Sequence, residues 1–555
     1  KKRLYLGEKM LAQNYVEYFE GVIKSKWDLP SMSNIEKEVY SYSDVGEKII
    51  WLHNILSELG ISRGDKVALV GKNSVNWAIT YLAVTTYGAV IVPILPNFAI
   101  SDMSHIIHHS DAKLLFIAGS IMDNLEEDKL NNLLGIINVD DFSLADCKIK
   151  PKNISEVESA FAKEVKLTSE SFSLPQDICN SSLGEIIYTS GTTGFTKGVM
   201  LSLNSLITNV VVANEMLKFS EGSKTLAFLP LSHAYACAFD LLYPFSSGLQ
   251  IQFIGKTPSA KLLLKHFRSS SPEMILSVPL ILEKIIKKNV LPIFEKKMMK
   301  FLTSLPGVKS VLYTKIRNQL LTVFGGSLQE MIIGGAPLNH EVEKFLKLIK
   351  FPFTIGYGMS ECGPLISYSS ATNHKLGSSG KIVNYLQAKI DSPNPQTIPG
   401  NILVKGEQVM LGYYKNEEAT KEVLSSDGWL NTGDIGTIDS ENNVYIKGRS
   451  KSLVLGSAGE NIYPEAVEQQ FNNMELVQES LLLQRENKLE IHIYPDFDEA
   501  DTRTINQQMF PEFMEFNRSK YNKKAPDYAK IGKVIIVAEP FQRTPTKKIK
   551  RYLYK

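Results

Sequence analysis

The sequence contains little cysteine. Its 555 residues include only four, none of them in a C-x-x-C pair: Cys147, Cys179, Cys237 and Cys362. This scarcity excludes the disulfide framework of a small secreted domain and a cysteine-bound zinc site. The first eleven residues are basic but lack the apolar run of a signal peptide. Both observations predict a reducing, cytoplasmic location.

The sequence also lacks an excess of one charge and a membrane-spanning apolar run. Its formal net charge is +2, so no overall field favours the binding of nucleic acid. One long stretch, from Ser74 to Ser101, has no charged residue, but it contains asparagine, threonine, glycine and proline. We interpret it as a buried helix that ends near Gly88, followed by a strand Ala89–Val92 that stops at Pro93. A soluble α/β unit explains this stretch without a lipid bilayer.

The chain is too long for one ordinary core, so we expect at least two domains. Between residues 41 and 180, patterns typical of helices and of strands alternate. Ser43–Leu59 carries apolar residues at helical spacing and stops at Gly60, and Lys66–Val70 is typical of a short strand. Such alternation predicts parallel sheets covered by helices, which is an α/β fold.

A loop rich in glycine and hydroxyl side chains follows the short apolar run Ile186–Tyr188. Residues 184–201 read GEIIYTSGTTGFTKGVML, and we expect the strand to break at Thr189. Glycines let backbone N–H groups approach an anion, and Lys197 adds a compact positive charge. This composition suits a phosphate site, although ordinary surface loops share it. The loop is not the common P-loop, which has glycine before its lysine and serine or threonine after it.

The string resembles the phosphate-binding loop of the adenylate-forming superfamily, which includes acyl-CoA synthetases, luciferases and amino-acid adenylation domains. Thr196 stands where this family usually has proline. Five further motifs follow in the family's order. The resemblance implies that the phosphates of ATP are bound by Thr189, Ser190, Gly191, Thr192, Thr193, Gly194 and Lys197.

Two glycine-containing turns follow apolar strands further along the chain. Strand Glu330–Ile333 leads into the sequence GGAPL, and strand Phe353–Ile355 leads into GYGMSE. A glycine at a strand end lets the backbone lie flat against a planar ring. In the family these turns contact adenine, so the resemblance implies that Gly335 and Ala336 pack on the ring and that Tyr357 stacks on it.

The second of these turns also carries the residues that the resemblance places at the phosphates. Ser360 stands where threonine is usual and can still donate a hydrogen bond to the α-phosphate. Glu361 resembles the carboxylate that organises Mg²⁺. One acidic side chain suffices for this role, because Mg²⁺ takes its remaining ligands from substrate phosphates and water.

The β-rich region 376–449 contains the spacing Trp-x-x-Thr-Gly-Asp, which ends at Asp434. In the family this aspartate accepts hydrogen bonds from both ribose hydroxyls, and two carboxylate oxygens suit a vicinal diol. Arg449 resembles the second ribose or phosphate ligand. Lys451 falls at the family's hinge, and Ser452 replaces a frequent acidic residue beside it.

Two further residues are identified by the same resemblance. The segment LPLSHAY follows a strand predicted at Thr225–Leu229, and His233 resembles the residue that gates the carboxylate substrate. Near the end of the sequence, the register through Ile549 and Arg551 places the catalytic lysine at Lys548. Position 547 is a lysine where glycine is usual.

The resemblance implies a domain organisation and an activity. Residues 1–449 would form an N-terminal adenylation domain of helix-covered parallel sheets with a β-barrel-like subdomain at 376–449. Residues 450–555 would form a small mobile α+β lid. The activity implied is an AMP-forming fatty acid–CoA ligase that uses ATP, Mg²⁺ and CoA. A long-chain acid is favoured, because the segment SVPLILEKI resembles long-chain acyl-CoA synthetases.

Other functions remain open. The acyl group could pass to a carrier protein instead of CoA, or the chain could be a catalytically inactive acyl or nucleotide sensor. Amino-acid adenylation is a weaker hypothesis, because no carrier domain follows before Lys555. The basic residues of Lys284–Lys315 suggest peripheral contact with a membrane surface, but they are dispersed. Neither the oligomeric state nor the acyl chain length follows from the sequence.

Overall fold

The structure, a computed structural model, describes residues 13–125, 130, 132–145, 151, 153–190, 196–255, 259–289, 308–456, 460–486, 488–543 and 549–554. These residues form two compact units. Unit 1 consists of Lys1–Thr189, Lys197–Ala388 and Val404–Leu430, and unit 2 consists of Ser190–Thr196, Lys389–Leu403 and Asn431–Lys555.

The first sheet of unit 1 is mainly parallel, as the alternating sequence pattern predicts. Buried apolar residues such as Val70, Val92 and Ile106 form its core. In spatial order its strands are Gly412–Tyr413, Thr196–Ser202, Leu183–Ser190, Val90–Ile94, Lys66–Val70, Ala112–Ile117 and Gly135–Asn138. The helices along this part of the chain are Tyr42–Glu58, Val75–Tyr87, Ile100–His109, Gly119–Met122 and Ile154–Ala162.

The uncharged stretch forms the predicted buried helix and strand. The Ser74 hydroxyl accepts a hydrogen bond from the Trp77 amide at the start of the helix, and Gly88 ends it in a left-handed conformation (φ 87°). The strand differs from the prediction, because it runs through Pro93. Its described pairing with strand Leu183–Ser190 is the single pair Ile91–Glu185. Hydrogen bonding to strand Leu183–Ser190 therefore requires no N–H from Pro93.

The second sheet of unit 1 is parallel except at one edge, where Pro30–Asn34 and Val39–Ser41 run antiparallel. In spatial order its strands are Phe353–Ile355, Glu330–Ile333, Met274–Ser277, Lys224–Ala227, Gln250–Phe253, Pro30–Asn34 and Val39–Ser41. Its helical segments are Tyr15–Ser25, Leu203–Met216, Ala234–Ala236, the π-helix Cys237–Leu242, Tyr243–Ser247, Ala260–Ser270, Pro279–Asn289, Val308–Val323 and His340–Leu348. Residues 290–307 of the predicted basic insertion lie outside the described residues.

Two smaller sheets follow. The first contains Tyr357–Gly358, Leu365–Tyr368 and Lys381–Ile382 and carries the 3₁₀ turn Ser360–Cys362. The second contains Leu386–Asp391, Gly400–Gly406, Leu430–Ile438 and Val444–Arg449, and the helix Glu417–Val423 lies between its strands in sequence. This is the β-rich region that the sequence predicts.

The remainder of unit 2 has an α+β structure with its own core. Buried members such as Phe471, Leu482, Ile491 and Met514 all come from the chain after residue 460. The sheets pair Val454–Leu455 with Asn461–Ile462, and Lys488–Pro495 with both Val477–Arg485 and Ile531–Ile536. The helices are Pro464–Phe471, Phe497–Thr502 and Phe510–Asn522, with 3₁₀ turns at Ser450–Ser452, Gln507–Met509, Asp527–Ala529 and Arg551–Leu553.

No helix in the described ranges combines the length and the apolar character that crossing a membrane requires.

Candidate active site

The carboxyl ends of two neighbouring strands bring both predicted adenine turns together in unit 1. Ile333 and Ile355 lie opposite each other on parallel strands, so the turns that begin at Gly334 and Gly356 leave the sheet side by side. Ligands of open parallel sheets bind at this edge. Gly335 adopts a left-handed conformation (φ 84°), and a Cβ there would meet only Val278, at 3.8 Å. The turn therefore offers an open backbone surface to a flat ligand.

The residues predicted around adenine differ in exposure. Gly335 and Ala336 are exposed, whereas Tyr357 is buried and its backbone pairs with strand Leu365–Tyr368. Ser360 and Glu361 follow directly in a 3₁₀ turn and are half-buried. A strand and the 3₁₀ turn that follows it thus connect the tyrosine to the carboxylate.

His233 lies at the same edge of the sheet, beyond a strand that ends at Ala227 rather than at the predicted Leu229. It is half-buried and precedes the short helix Ala234–Ala236. Tyr235 fixes this helix, because its hydroxyl donates to the Ile332 carbonyl (3.1 Å). A Cβ on Gly334 would lie 2.8 Å from the Tyr235 ring, so only glycine fits between the turn and the helix.

The turn that carries Glu361 is held by residues that the sequence analysis did not identify. The amide of Asn209 donates to the Cys362 carbonyl (3.3 Å) and its oxygen accepts from the Leu365 N–H (2.9 Å). The Met410 N–H donates to the carbonyl of Glu361 itself (2.9 Å). Asn209 lies in helix Leu203–Met216, directly after the strand that carries Lys197. Its hydrogen bonds therefore connect two motifs that are distant in sequence.

Lys197 and Glu361 both contact Tyr413, which the sequence analysis also missed. The Lys197 ammonium lies 4.8 Å from the centre of the phenol ring, and the Tyr413 hydroxyl donates to Glu361 Oε1 (2.8 Å). Burial, and then the charge of Glu361, raise the pKa of the Tyr413 hydroxyl, so it stays protonated and donates at neutral pH. A buried tyrosine after a glycine in a short strand carries no sequence signal of this role.

The donor set at Glu361 fits a Mg²⁺ ion that is shared with a substrate. The described residues contain no group of three or more His, Cys, Asp or Glu side chains placed to hold a metal. Mg²⁺ in phosphoryl-transfer sites is held by one or two carboxylates together with phosphate oxygens, not by an all-protein cage. A single half-buried carboxylate, with one oxygen oriented by Tyr413, matches this type of site.

In unit 2, Asp434 and Arg449 lie opposite each other on two antiparallel strands. Arg449 Nε is 3.3 Å from Asp434 Oδ1; the aspartate is 6% exposed, whereas the arginine side chain is exposed. The backbone N–H of Asp434 donates to the Thr432 hydroxyl (3.1 Å). The pair predicted to bind ribose is therefore adjacent. Lys451 follows, exposed, in the 3₁₀ turn after the strand.

Several predicted ligands lie outside the described residues: Gly191, Thr192, Thr193, Gly194 and Lys548. Thr189 and Ser190 end the strand Leu183–Ser190, which runs two residues past the predicted break. The described residues on either side of 544–548 make contacts within unit 2. Arg543 and Ile549 form an antiparallel bridge, and Arg551 pairs with the buried Glu468.

Comparison with known proteins identifies the family of the chain. Residues 22–414 match the model of the AMP-binding enzyme family. The chain is 27% identical over 471 residues to 4-coumarate–CoA ligase of Vanilla planifolia, covering 81% of this chain and 77% of that protein. It is also 27% identical over 477 residues to the long-chain-fatty-acid–CoA ligase ACSBG2 of Rattus norvegicus, covering 80% and 69%.

Solved structures share the fold. The ATP-bound RpMatB-BxBclM chimera B3 superposes with a TM-score of 0.77 at 20% identity, over 98% of both chains. O-succinylbenzoate coenzyme A synthetase from Bacillus subtilis, in complex with AMP, gives 0.75 at 19% identity, over 97% of this chain and 98% of that one. With a family match that covers residues 22–414, this chain belongs to the AMP-binding, adenylate-forming enzymes.

Proposed function

We propose that the protein is an AMP-forming ligase that activates a fatty acid with ATP and transfers the acyl group to CoA. The observation that supports the proposal most strongly is the contact of Lys197 and Glu361 with one buried phenol, because a cation and a carboxylate close together suit the phosphates of a nucleotide and their metal. The paired Asp434 and Arg449 suit a ribose and its phosphate.

In the first half-reaction, a carboxylate oxygen of the acid attacks the α-phosphorus of ATP and the bond to the pyrophosphate oxygen breaks. Lys197 and the glycine-rich loop stabilise the charge on the leaving pyrophosphate, and Ser360 donates to the α-phosphate. Mg²⁺, when bound at Glu361, would neutralise phosphate charge and orient the oxygens. Lys548 would steady the attacking carboxylate and the bridging oxygen. Positioning of this kind accounts for most of the catalysis in such transfers.

In the second half-reaction, the thiolate of CoA attacks the acyl carbonyl of the adenylate and AMP leaves. Lys548 has no role in this step. A rotation of residues 450–555 about Lys451 would exchange the adenylation surface for a thiolation surface, so one acyl site serves both reactions. Support for a separate lid comes from the core of this segment, whose members all lie between Ile462 and Ile531.

The acid is proposed to be a fatty acid of about twelve carbons or more, because the relatives include long-chain ligases and each buried CH₂ contributes about 0.8 kcal/mol. A second candidate is an aromatic acid, because a 4-coumarate ligase is as similar to this chain. Pyrophosphate exchange should be measured with acetate, octanoate, laurate, palmitate and 4-coumarate, with Glu361→Gln as the inactive control.

We expect laurate and palmitate to give the highest kcat/KM. A preference for acetate would exclude the long-chain substrate, and a preference for 4-coumarate would favour the aromatic one. Thioester formation with CoA, compared with an acyl carrier protein, identifies the acceptor. If none of the five acids supports exchange while ATP still binds, a nucleotide sensor becomes the favoured function.

A further inference from the structure

Residues 410–414 form a bridge between the strand that carries Lys197 and the turn that carries Glu361. Two backbone N–H groups of this segment donate to the carbonyls of Gly198 and Met200, at 2.7 and 2.9 Å, and a third donates to the carbonyl of Glu361, at 2.9 Å. Gly412 and Tyr413 pair antiparallel with the lysine strand. The segment is thus fixed to both motifs by its backbone alone.

The side chain of Tyr413 makes a second connection between the same motifs. Its ring face lies beneath the Lys197 ammonium, at 4.8 Å from ring centre to Nζ, and its hydroxyl donates to Glu361 Oε1, at 2.8 Å. Each contact uses a different part of the phenol. The ring attracts a cation through its negatively charged face, and the hydroxyl forms a charge-assisted bond to a carboxylate.

The tyrosine itself has little freedom to move. It is 8% exposed, and its N–H donates to the Thr420 hydroxyl (2.8 Å). Gly412 before it has φ 137°, a conformation that other residues rarely adopt, and a Cβ there would lie 2.9 Å from the Thr420 methyl. The local sequence therefore holds the phenol in one place.

A lysine and a glutamate that share a half-buried site attract each other. If they paired directly, the ammonium would be lost to the phosphates and the carboxylate to the metal. A phenol that contacts the ammonium with its face and the carboxylate with its hydroxyl keeps each charge oriented without neutralising it. Only one carboxylate oxygen is used by the phenol, and the other is left for a metal.

We infer that Tyr413 is a positioning residue of the adenylation site, which orients the Glu361 carboxylate for Mg²⁺ and keeps the Lys197 ammonium apart from it for the pyrophosphate of ATP. This inference rests on the proposed function, because it takes MgATP as the ligand. It adds a residue that acts through the two charged side chains and touches no reacting atom.

The test compares Tyr413→Phe with Tyr414→Phe. Both variants lose one hydroxyl that donates to a carboxylate, but the Tyr414 hydroxyl bonds to Asp111 on the surface (2.6 Å). The equilibrium Kd of ATP is measured by calorimetry with Mg²⁺ and again with EDTA. We expect Tyr413→Phe to raise the Kd of MgATP about tenfold, since a hydrogen bond to a charged group contributes at least this factor. The Kd of metal-free ATP should change by less than about twofold, as should both Kd values of Tyr414→Phe.

A Mg²⁺ titration of pyrophosphate exchange gives the matching kinetic readout. Tyr413→Phe should need about tenfold more Mg²⁺ for half-maximal rate, and saturating Mg²⁺ should restore most of kcat. In a Glu361→Gln background the same substitution should have no further effect on MgATP binding, because the carboxylate that it orients is gone. A folding defect caused by Tyr413→Phe would instead weaken MgATP binding in this background as well.

Identical MgATP affinities for the two phenylalanine variants would overturn the inference. An equal loss of MgATP and metal-free ATP binding by Tyr413→Phe would also overturn it, since that result indicates a general structural role. Failure of the wild-type protein to bind ATP at all would refute the proposed function and the inference together. Normal wild-type binding with an unaffected Tyr413→Phe would refute the inference alone.

Discussion

The buried carboxyl of Glu185 makes the stability of the protein depend on pH. Glu185 lies in strand Leu183–Ser190, which leads to the predicted phosphate loop, and is 1% exposed. The Tyr81 hydroxyl donates to its Oε2 (3.2 Å), whereas its Oε1 has no hydrogen-bond partner in the described part of the chain. Burial raises the pKa of Glu185 to about 8, and the bond from Tyr81 only partly opposes this shift.

The sign of the effect follows from proton binding. The ordinary pKa of the glutamate is 4.5, so between about 4.5 and 8 the folded protein holds a proton that the unfolded chain has released. The free energy of unfolding therefore falls as pH rises through this window. At about 1.4 kcal/mol per pH unit, the loss across the whole window is on the order of 5 kcal/mol.

Glu185→Gln removes this titration and keeps nearly the same shape. Urea unfolding should be measured from about pH 5 to about pH 8 for the wild type, for Glu185→Gln and for the exposed control Glu156→Gln. We expect Glu185→Gln to resemble the wild type at the acidic end and to exceed its stability by several kcal/mol at the alkaline end. An identical pH slope in Glu185→Gln and the wild type, or an equal change in Glu156→Gln, would refute the reasoning.

Four further variants test the site. Asp434→Ala should raise the KM for ATP at an unchanged melting temperature, because a hydrogen bond to a charged group contributes about 1.5–3 kcal/mol; an unchanged KM contradicts the ribose role. Asn209→Ala should lower kcat for pyrophosphate exchange, since it removes both side-chain hydrogen bonds to the turn that carries Glu361. Wild-type exchange at saturating Mg²⁺ and ATP would show that these two bonds are dispensable. Lys548→Ala should abolish exchange yet still convert a supplied acyl-adenylate and CoA to thioester, whereas Lys451→Pro should fail only in thioester formation, because proline fixes φ at the proposed hinge. Retention of exchange by Lys548→Ala, or of thioester formation by Lys451→Pro, would contradict those roles.

The sequence predicts the α/β class and several element positions because hydrophobic periodicity and glycine boundaries are local properties. Helix Val75–Tyr87, closed by Gly88, and strand Glu330–Ile333 illustrate this. The predictions that differ from the structure concern ends of strands. Pro93 lies inside a strand because its neighbours, and not its own preference, determine whether an N–H is needed there.

Predicting the site from the sequence has a different limit. Motifs identify Lys197, Glu361 and Asp434 one at a time, through resemblance. They do not identify Asn209 and Tyr413, which have ordinary residue types and obtain their roles from the two segments that they join in space. The hydrogen bonds of Asn209 and Tyr413 to the turn of Glu361 span 153 and 52 positions of sequence, and contacts of this kind leave no local pattern.

The pairing of Gly412–Tyr413 with the strand of Lys197 has a consequence for how the chain folds while it is being synthesised. A ribosome synthesises the lysine strand more than 200 residues before its edge partner, and 389–403, a segment of unit 2, is synthesised between them. Closing so long a loop costs entropy that later contacts must offset. Unit 1 is therefore completed late, and until then the nascent chain exposes the backbone groups of an unpaired strand edge, which is the type of surface that promotes aggregation.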